Sequence, residues 1–163
     1  MAVRFSKKIF NDQLTALKTA LANGAIHLYS GSQPSTPEAA PTGTLIGTIQ
    51  LAGGTWAAGT ATYGLEFGTA AAATISKASA EEWKFTCTSA GTVGWGRFIA
   101  NTTAGSGSLS SADVGALDST ETFPRIDFSV GITSGDMTMG KVTYAIGETG
   151  AVSSFTIPLT NIS

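Results

Sequence analysis

Residues 82–88 read "EWKFTCT", and this stretch decides the fold. From residue 83 on, apolar Trp83, Phe85 and Cys87 alternate with polar Lys84, Thr86 and Thr88. Successive side chains of an extended chain point to opposite faces. The pattern therefore describes a β-strand with one face buried and the other wet. The same period recurs along the chain. Ile26 and Leu28 alternate with His27 and Tyr29, and Ile126, Phe128 and Val130 with Arg125, Asp127 and Ser129. In "FTIPL", residues 155–159, Phe155, Ile157 and Leu159 face inward, and Pro158, which has no N–H for a ladder bond, marks an edge or an end. "TVGWGRFIA" (92–100) and "MTMGKVTYAI" (137–146) are also strand-like, with glycines that signal bulges or close backbone approach.

Turn residues separate these runs at Gly53-Gly54, Gly105-Ser106-Gly107 and Gly147-Glu148-Thr149-Gly150. Many short strands with Gly and Ser turns, and no alternation of strand with helix, indicate a mainly β protein, an antiparallel sandwich or barrel. Residues 101–122, "NTTAGSGSLSSADVGALDSTET", are expected to form a surface excursion.

One helix is expected, at residues 11–23. Asn11 or Asp12 would cap it, Leu14, Leu17 and Leu21 form its apolar stripe, and Gly24 would stop it. A helix of three turns is marginal alone in water, so the stripe is expected to pack on the protein's own sheet. Residues 1–10 then form an N-terminal arm, and residues 11–163 a single domain. A chain of 163 residues is the size of one ordinary domain and can build a core without disulfides or metal. Cys87 is the only cysteine, so no intrachain disulfide forms.

Charged residues make up 12% of the chain, about half the usual share, and the net charge is −2. Nucleic acid is not expected as a ligand, because phosphate binding draws on clustered Lys and Arg. The nine basic residues are scattered except for Arg4, Lys7 and Lys8. The start "MAVRFSKKIF" is followed by "NDQLTALKTAL", too polar for the apolar core of a signal peptide. No apolar run approaches the ~20 residues of a membrane span, so no membrane contact is expected. The chain is read as soluble and made in the cytoplasm of a host cell.

Catalytic chemistry finds little support. His27 is the only histidine, and it is read as a half-exposed strand residue. Cys87 lies on an apolar face and is read as a buried, inert thiol. Glu81 and Glu82 are adjacent and would point apart. Asp113, Asp118 and Glu121 lack the ligand spacing of a calcium loop. Neither a phosphate-binding loop nor a dinucleotide fingerprint occurs. No catalytic, cofactor-binding or metal-binding residue is therefore assigned, and the chain is not read as an enzyme. Of the three tryptophans, Trp83 and Trp95 are read as core. Trp56, in "AGGTWAAGTATYG" (52–64), is the one that could be exposed, as in sugar-binding β-sandwiches.

Three stretches together resemble small virion proteins of tailed bacteriophages and prophages. They are "ANGAIHLYSGSQPSTPEAAPTGTLIGTIQL" (22–51), "TSAGTVGWGRFI" (88–99) and "SGDMTMGKVTYAIGETGAVSSFTIPLT" (134–160). In the first, Gln33-Pro34 would open an extended turn, Ala39-Ala40 would pack, and Gly43-Thr44 would lead into the next strand. The resemblance implies an antiparallel β-sandwich, jelly-roll or immunoglobulin-like, serving as a structural subunit. It implies a head decoration, or cement, protein on the outside of the major capsid protein shell, with that protein and neighbouring copies as partners and the virion as location. A tail or neck component and a sugar-binding host-recognition module are the alternatives. No cofactor is implied.

Charge is segregated in this sequence. Arg4, Lys7 and Lys8 lie at the start, and Asp113, Asp118, Glu121, Asp127 and Asp136 lie late in the chain. The arm is therefore the candidate anchor. Phe5, Ile9 and Phe10 would bury apolar area on an acidic neighbour while Arg4, Lys7 and Lys8 set the register.

Overall fold

The computed structural model describes residues 4–57, 59–101 and 124–159. Among the described residues the chain is mainly β with one N-terminal helix. Helix α1 (Lys7–Leu21) is followed by β1 (Ala25–Ser30), β2 (Leu45–Leu51), β3 (Thr74–Ser76), β4 (Trp83–Thr86) and β5 (Gly91–Ile99). Then come β6 (Arg125–Gly131), β7 (Met137–Met139), β8 (Thr143–Tyr144) and β9 (Thr149–Pro158).

The strands form one hydrogen-bonded sheet in the order β1-β2-β4-β9-β7-β6-β5-β8, and β1 also pairs with β5. That last pairing closes the first seven strands of the path into a barrel. β8 lies beyond β5, and β3 pairs with β9 outside the ring. The hydrogen bonding thus describes a closed barrel with additional strands rather than two separate sheets. The physical reason is that β1 is bonded along both edges, to β2 and to β5. β9 reinforces the closure by pairing in turn with β4, β7 and β3 along its length. Closure pairs each ring strand on both sides over at least part of its length, the β2–β4 and β6–β7 contacts being two residues long.

Nearly all pairings are antiparallel, but β6 and β7 run parallel across Val130↔Met137 and Gly131↔Thr138. The chain must reverse twice in the short link between them. Two glycines allow this. A Cβ on Gly131 would collide with the carbonyl of Ser134, and Gly135 has a φ of +121°. Asp136 holds the loop by accepting hydrogen bonds from the backbone N–H and hydroxyl of Ser129, at 2.9 and 2.8 Å.

The barrel interior is filled by aromatic and aliphatic side chains. Trp83, Phe85, Phe128 and Phe155 are buried as expected from the alternation, while Ile126 and Ile157 are half-buried against them. Phe155 lies 4.4 Å from Phe128 and 6.1 Å from Trp83 between ring centroids. Phe67, from the link between β2 and β3, stacks 5.2 Å from Phe98. β9 ends at Pro158, as the missing N–H requires.

The helix differs from expectation at both ends. It starts at Lys7 after Ser6, not at Asn11, so the last four residues of the expected arm belong to its first turns. Asn11 serves a different purpose: its side-chain oxygen accepts the N–H of Ala73 at 2.9 Å and ties the helix to the β3 turn. The helix ends at Leu21, and Asn23, with φ of 57°, takes the left-handed position expected of Gly24. Gly24 is required for space, since a Cβ there would meet the Ile99 carbonyl at 2.2 Å. Leu14 and Leu21 are fully buried in the core, so the stripe does pack on the protein's own sheet.

Candidate functional site

The polar residues that could carry function gather on the outer face of β2, β1, β5 and β6. The register places them. Ile26 and Leu28 of β1 point into the barrel, so Ala25, His27 and Tyr29 point out. Opposite them on β5 stand Ile99, Arg97 and Trp95. Asp127 of β6 pairs with Arg97 in the same register. Thr48 of β2 faces His27.

This outer face is not bare. The connector between β1 and β2 folds back over it. Its ends are joined by hydrogen bonds from Ser30 N–H to the Thr44 carbonyl (3.0 Å) and from Thr44 N–H to the Ser30 hydroxyl (2.9 Å). Its middle delivers the Ala39 carbonyl to Arg97 Nη1 at 3.0 Å. Ala39 is half-buried, whereas Ala40 is exposed, so only one of the two expected packing alanines packs.

A second segment, from the end of β2 toward Leu65, covers the face beside it. Trp56 packs on Ala25 and Ile99 and donates its indole N–H to the Asn23 carbonyl at 2.9 Å. Its backbone N–H is held by Gln50 Oε1. Asn101, almost fully buried, accepts from Gly59 N–H and donates to the Thr60 carbonyl, at 2.8 and 2.6 Å.

Under the first cover lies a buried ion pair. Arg97 Nε and Nη2 donate to the two oxygens of Asp127 at 2.6 and 2.7 Å. The Arg97 side chain is 0% and the Asp127 side chain 3% exposed. The guanidinium sits 5.4 Å from the Trp95 ring centre, and Trp95 stacks on Tyr29 at 4.6 Å. Tyr29 in turn meets His27, with 3.3 Å between its hydroxyl and Nδ1. The Trp95 indole N–H is buried with no hydrogen-bond partner among the described residues.

Electrostatics follow from this burial. Desolvation, with a smaller push from the Arg97 cation, lowers the His27 pKa to about 4. His27 is thus a neutral imidazole at pH 7, and it is buried rather than half-exposed as the sequence suggested. Burial pushes the Tyr29 hydroxyl up. Among the described residues no group of three His, Cys, Asp or Glu could hold a metal ion. No helix among them is long and apolar enough to cross a membrane.

Between the second cover and the barrel wall a groove of about 660 Å³ remains open. His27, Thr48, Gln50, Thr86 and Thr88 line it from the strand side and Trp56 from the covering segment.

The residues proposed from sequence as an anchor lie elsewhere. Phe5 and Phe10 meet edge-on, 6.2 Å between centroids, and Phe5 and Ile9 are 52% and 42% exposed. Arg4, Lys7 and Lys8 are exposed, and Lys8 is bonded to Asp12 one helical turn on, at 2.9 Å. Of the acidic counterpart, Asp127 is spent on Arg97 and Asp136 on the Ser129 loop. Asp113, Asp118 and Glu121 lie outside the described residues. Cys87 is buried, its thiol 3.2 Å from the Ser89 carbonyl. Glu81 accepts from the Trp83 indole N–H at 2.7 Å, and Glu82 pairs with Lys84. Sequence reasoning missed Arg97 and Gln50. The one signal for Arg97 was its place in "GWGRF", two residues after Trp95 and so on the same face. No family model, no curated protein and no solved structure matches the chain.

Proposed function

We propose that this protein is a non-enzymatic structural component of a tailed-phage virion, bound as a head decoration protein on the outside of the major capsid protein shell. The observation that carries the proposal is the N-terminal segment. It presents Phe5 and Ile9 to solvent beside Arg4 and Lys7, at the start of a helix whose Leu14 and Leu21 are locked into the barrel. Cations in the first turn oppose the helix dipole, by about 0.3–1 kcal/mol each at a surface. The first turn of α1 carries no acidic residue to offset this. A partner with acidic and apolar surface supplies what the isolated chain lacks. The sequence resemblance to phage virion proteins supports the same reading.

Two measurements test it. Gel densitometry of purified particles should give a copy number comparable with the capsid protein. Tens of copies or fewer would instead support a tail or neck component, and absence from particles would refute the virion reading. Because Lys7 to Phe10 form the first turn of α1, removal of residues 1–10 would cut into the helix. Phe5→Ala with Ile9→Ala is the cleaner variant. It should leave the melting temperature within a few degrees and weaken attachment at least tenfold, since apolar anchors dominate interface energetics. Unchanged attachment would remove the segment from the interface.

A further inference from the structure

We infer that the groove between Trp56 and the β1–β2–β4 wall is a binding site for a neutral saccharide. Hydroxyl, amide and aromatic groups facing the groove carry this inference independently of the proposed virion role.

The groove holds about 660 Å³, within the ~300–1,000 Å³ typical of small-ligand sites. Its polar groups are hydroxyls, an amide and a neutral imidazole; none of the lining side chains is a carboxylate, Lys or Arg. The hydroxyls of Thr48 and Thr86 make no hydrogen bond within the described protein, and that of Thr88 gives its proton to the Ile46 carbonyl and keeps its lone pairs. Gln50 uses its oxygen on Trp56 N–H, leaving its two amide protons available.

His27 adds an independent pointer. Its side chain is about nine-tenths buried, it lines the groove, and its Nδ1 is occupied by the Tyr29 hydroxyl. Nε2 has no hydrogen-bond partner among the described residues, and it is not sealed from solvent: it reaches the groove, where a ligand can meet it. Which nitrogen carries the proton depends on whether Tyr29 donates or accepts. A ligand hydroxyl satisfies both cases, because it donates and accepts alike. An ammonium or a carboxylate would satisfy only one.

Trp56 completes the set. Its indole lines the groove and is fixed by its own N–H bond and by Ala25 and Ile99 beneath it. A rigid aromatic surface beside hydroxyl and amide groups matches the apolar C–H face and polar rim of a pyranose. The absence of charged lining disfavours sulfated or sialylated sugars.

The test uses the full-length chain with maltotetraose, cellotetraose, chitotetraose and mannotetraose, and with a heparin tetrasaccharide as the acidic control. Saturation-transfer NMR and tryptophan fluorescence report binding. At least one neutral sugar should bind at millimolar concentration or better, without competition from heparin. Thr48→Val with Thr86→Val replaces the two unpaired hydroxyls by isosteric methyls at positions outside the core. It should weaken binding about tenfold, the loss of two ordinary hydrogen bonds, with an unchanged melting curve. Trp56→Phe should also weaken it and abolish the fluorescence response. The inference is overturned if no neutral sugar binds, if heparin is preferred, or if the double valine variant binds as well as the native chain.

Discussion

Removal of the Asp127 carboxylate tests whether the two covering segments really exclude water from the outer face of the barrel. In Asp127→Ala the Arg97 guanidinium loses two short charge-assisted bonds, at 2.6 and 2.7 Å, and keeps only the Ala39 carbonyl and the face of Trp95. The guanidinium cannot shed its charge. With the side chain 0% exposed, water does not reach it without displacing the connector. Breaking a buried pair in this way costs about 3–5 kcal/mol. For a domain of this length each kcal/mol lowers the melting temperature by about 2–4 °C, so the expected loss is roughly 6–20 °C. Urea unfolding followed by tryptophan fluorescence measures the free-energy cost, and thermal unfolding followed by far-UV circular dichroism the shift in melting temperature. A second variant, Arg97→Met with Asp127→Leu, removes both charges and keeps the volume. It should recover most of the loss, since apolar pairs commonly replace buried ion pairs at little cost. A cost below about 1 kcal/mol for Asp127→Ala would mean that Arg97 is hydrated and the connector is no cover. A double variant as unstable as the single one would mean that the pair does more than cancel its own charges.

Other expectations bear on the core, a turn and pH. Phe128 is 4% exposed and packs on Phe155 and over Gly96, so Phe128→Ala should cost about 3–5 kcal/mol in urea unfolding; less than about 1 would place it on the wrong face of β6. Ala72 and Ala73 have φ of 53° and 63° in the tight turn closed by Ala71 and Thr74, whose N–H and carbonyl groups exchange bonds at 2.9 Å. Replacing them with Asn-Gly should raise stability by about 1–2 kcal/mol, read as a higher melting temperature; no gain would exclude the left-handed turn. The His27 pKa is lowered from 6.5 to about 4 in the fold. Above pH 6.5 the imidazole is neutral in both states and contributes no slope. As pH falls from 6.5 toward 4 only the unfolded chain takes the proton, so stability declines by roughly 3 kcal/mol and levels off below. His27→Gln should flatten that decline in urea midpoints compared between about pH 7 and pH 4.5, and an unchanged slope would mean that His27 is solvated.

The β-strands were legible because alternation is local. Trp83, Phe85 and Cys87 need only know that one side of their strand is apolar. Closure was not legible, because it depends on which strands pair, and the pairing of β1 with both β2 and β5 joins residues far apart in sequence. The helix start was misplaced for a physical reason. Asn11 and Asp12 have the chemistry of a cap, but Asn11 is used on the β3 turn and Asp12 on Lys8. The outer polar cluster escaped because alternation assigns the polar face of a strand to water. Here Arg97, His27 and Tyr29 occupy that face and are buried all the same, under segments whose sequence of Ser, Pro, Thr, Ala and Gly carries no periodic signal. The Ser-Pro-Ala connector is bland because it contributes mainly backbone groups to its contacts: the Ala39 carbonyl, the Thr44 N–H and the Thr44 carbonyl.

The pattern of charge constrains how any partner is held. Lys8 pairs with Asp12, Lys84 with Glu82, Lys141 with Glu148, and Arg97 with Asp127. The first three pairs are exposed and contribute little stability of their own. Their effect is to cancel charge on a surface that has little of it, since only 12% of the chain is charged. Such a surface offers an approaching macromolecule weak steering, and what attraction there is fades over about 10 Å at ordinary salt. Affinity must then come from apolar area and from hydroxyl and amide groups whose bonds salt does not screen. The exposed large apolar residues fit that requirement: Phe5 and Ile9 at the helix start, Ile132 in the β6–β7 loop and Ile146, 70% exposed, at the turn before β9. A few such side chains contribute by burial alone, at about 25 cal/mol per Å², only once they are seated in pockets. An isolated copy would therefore associate weakly, whereas a lattice that engages several of these residues at once multiplies weak contacts into firm attachment. Under the proposed decoration role a repeating shell would supply such simultaneous contacts, which a single receptor meeting a single ligand would not.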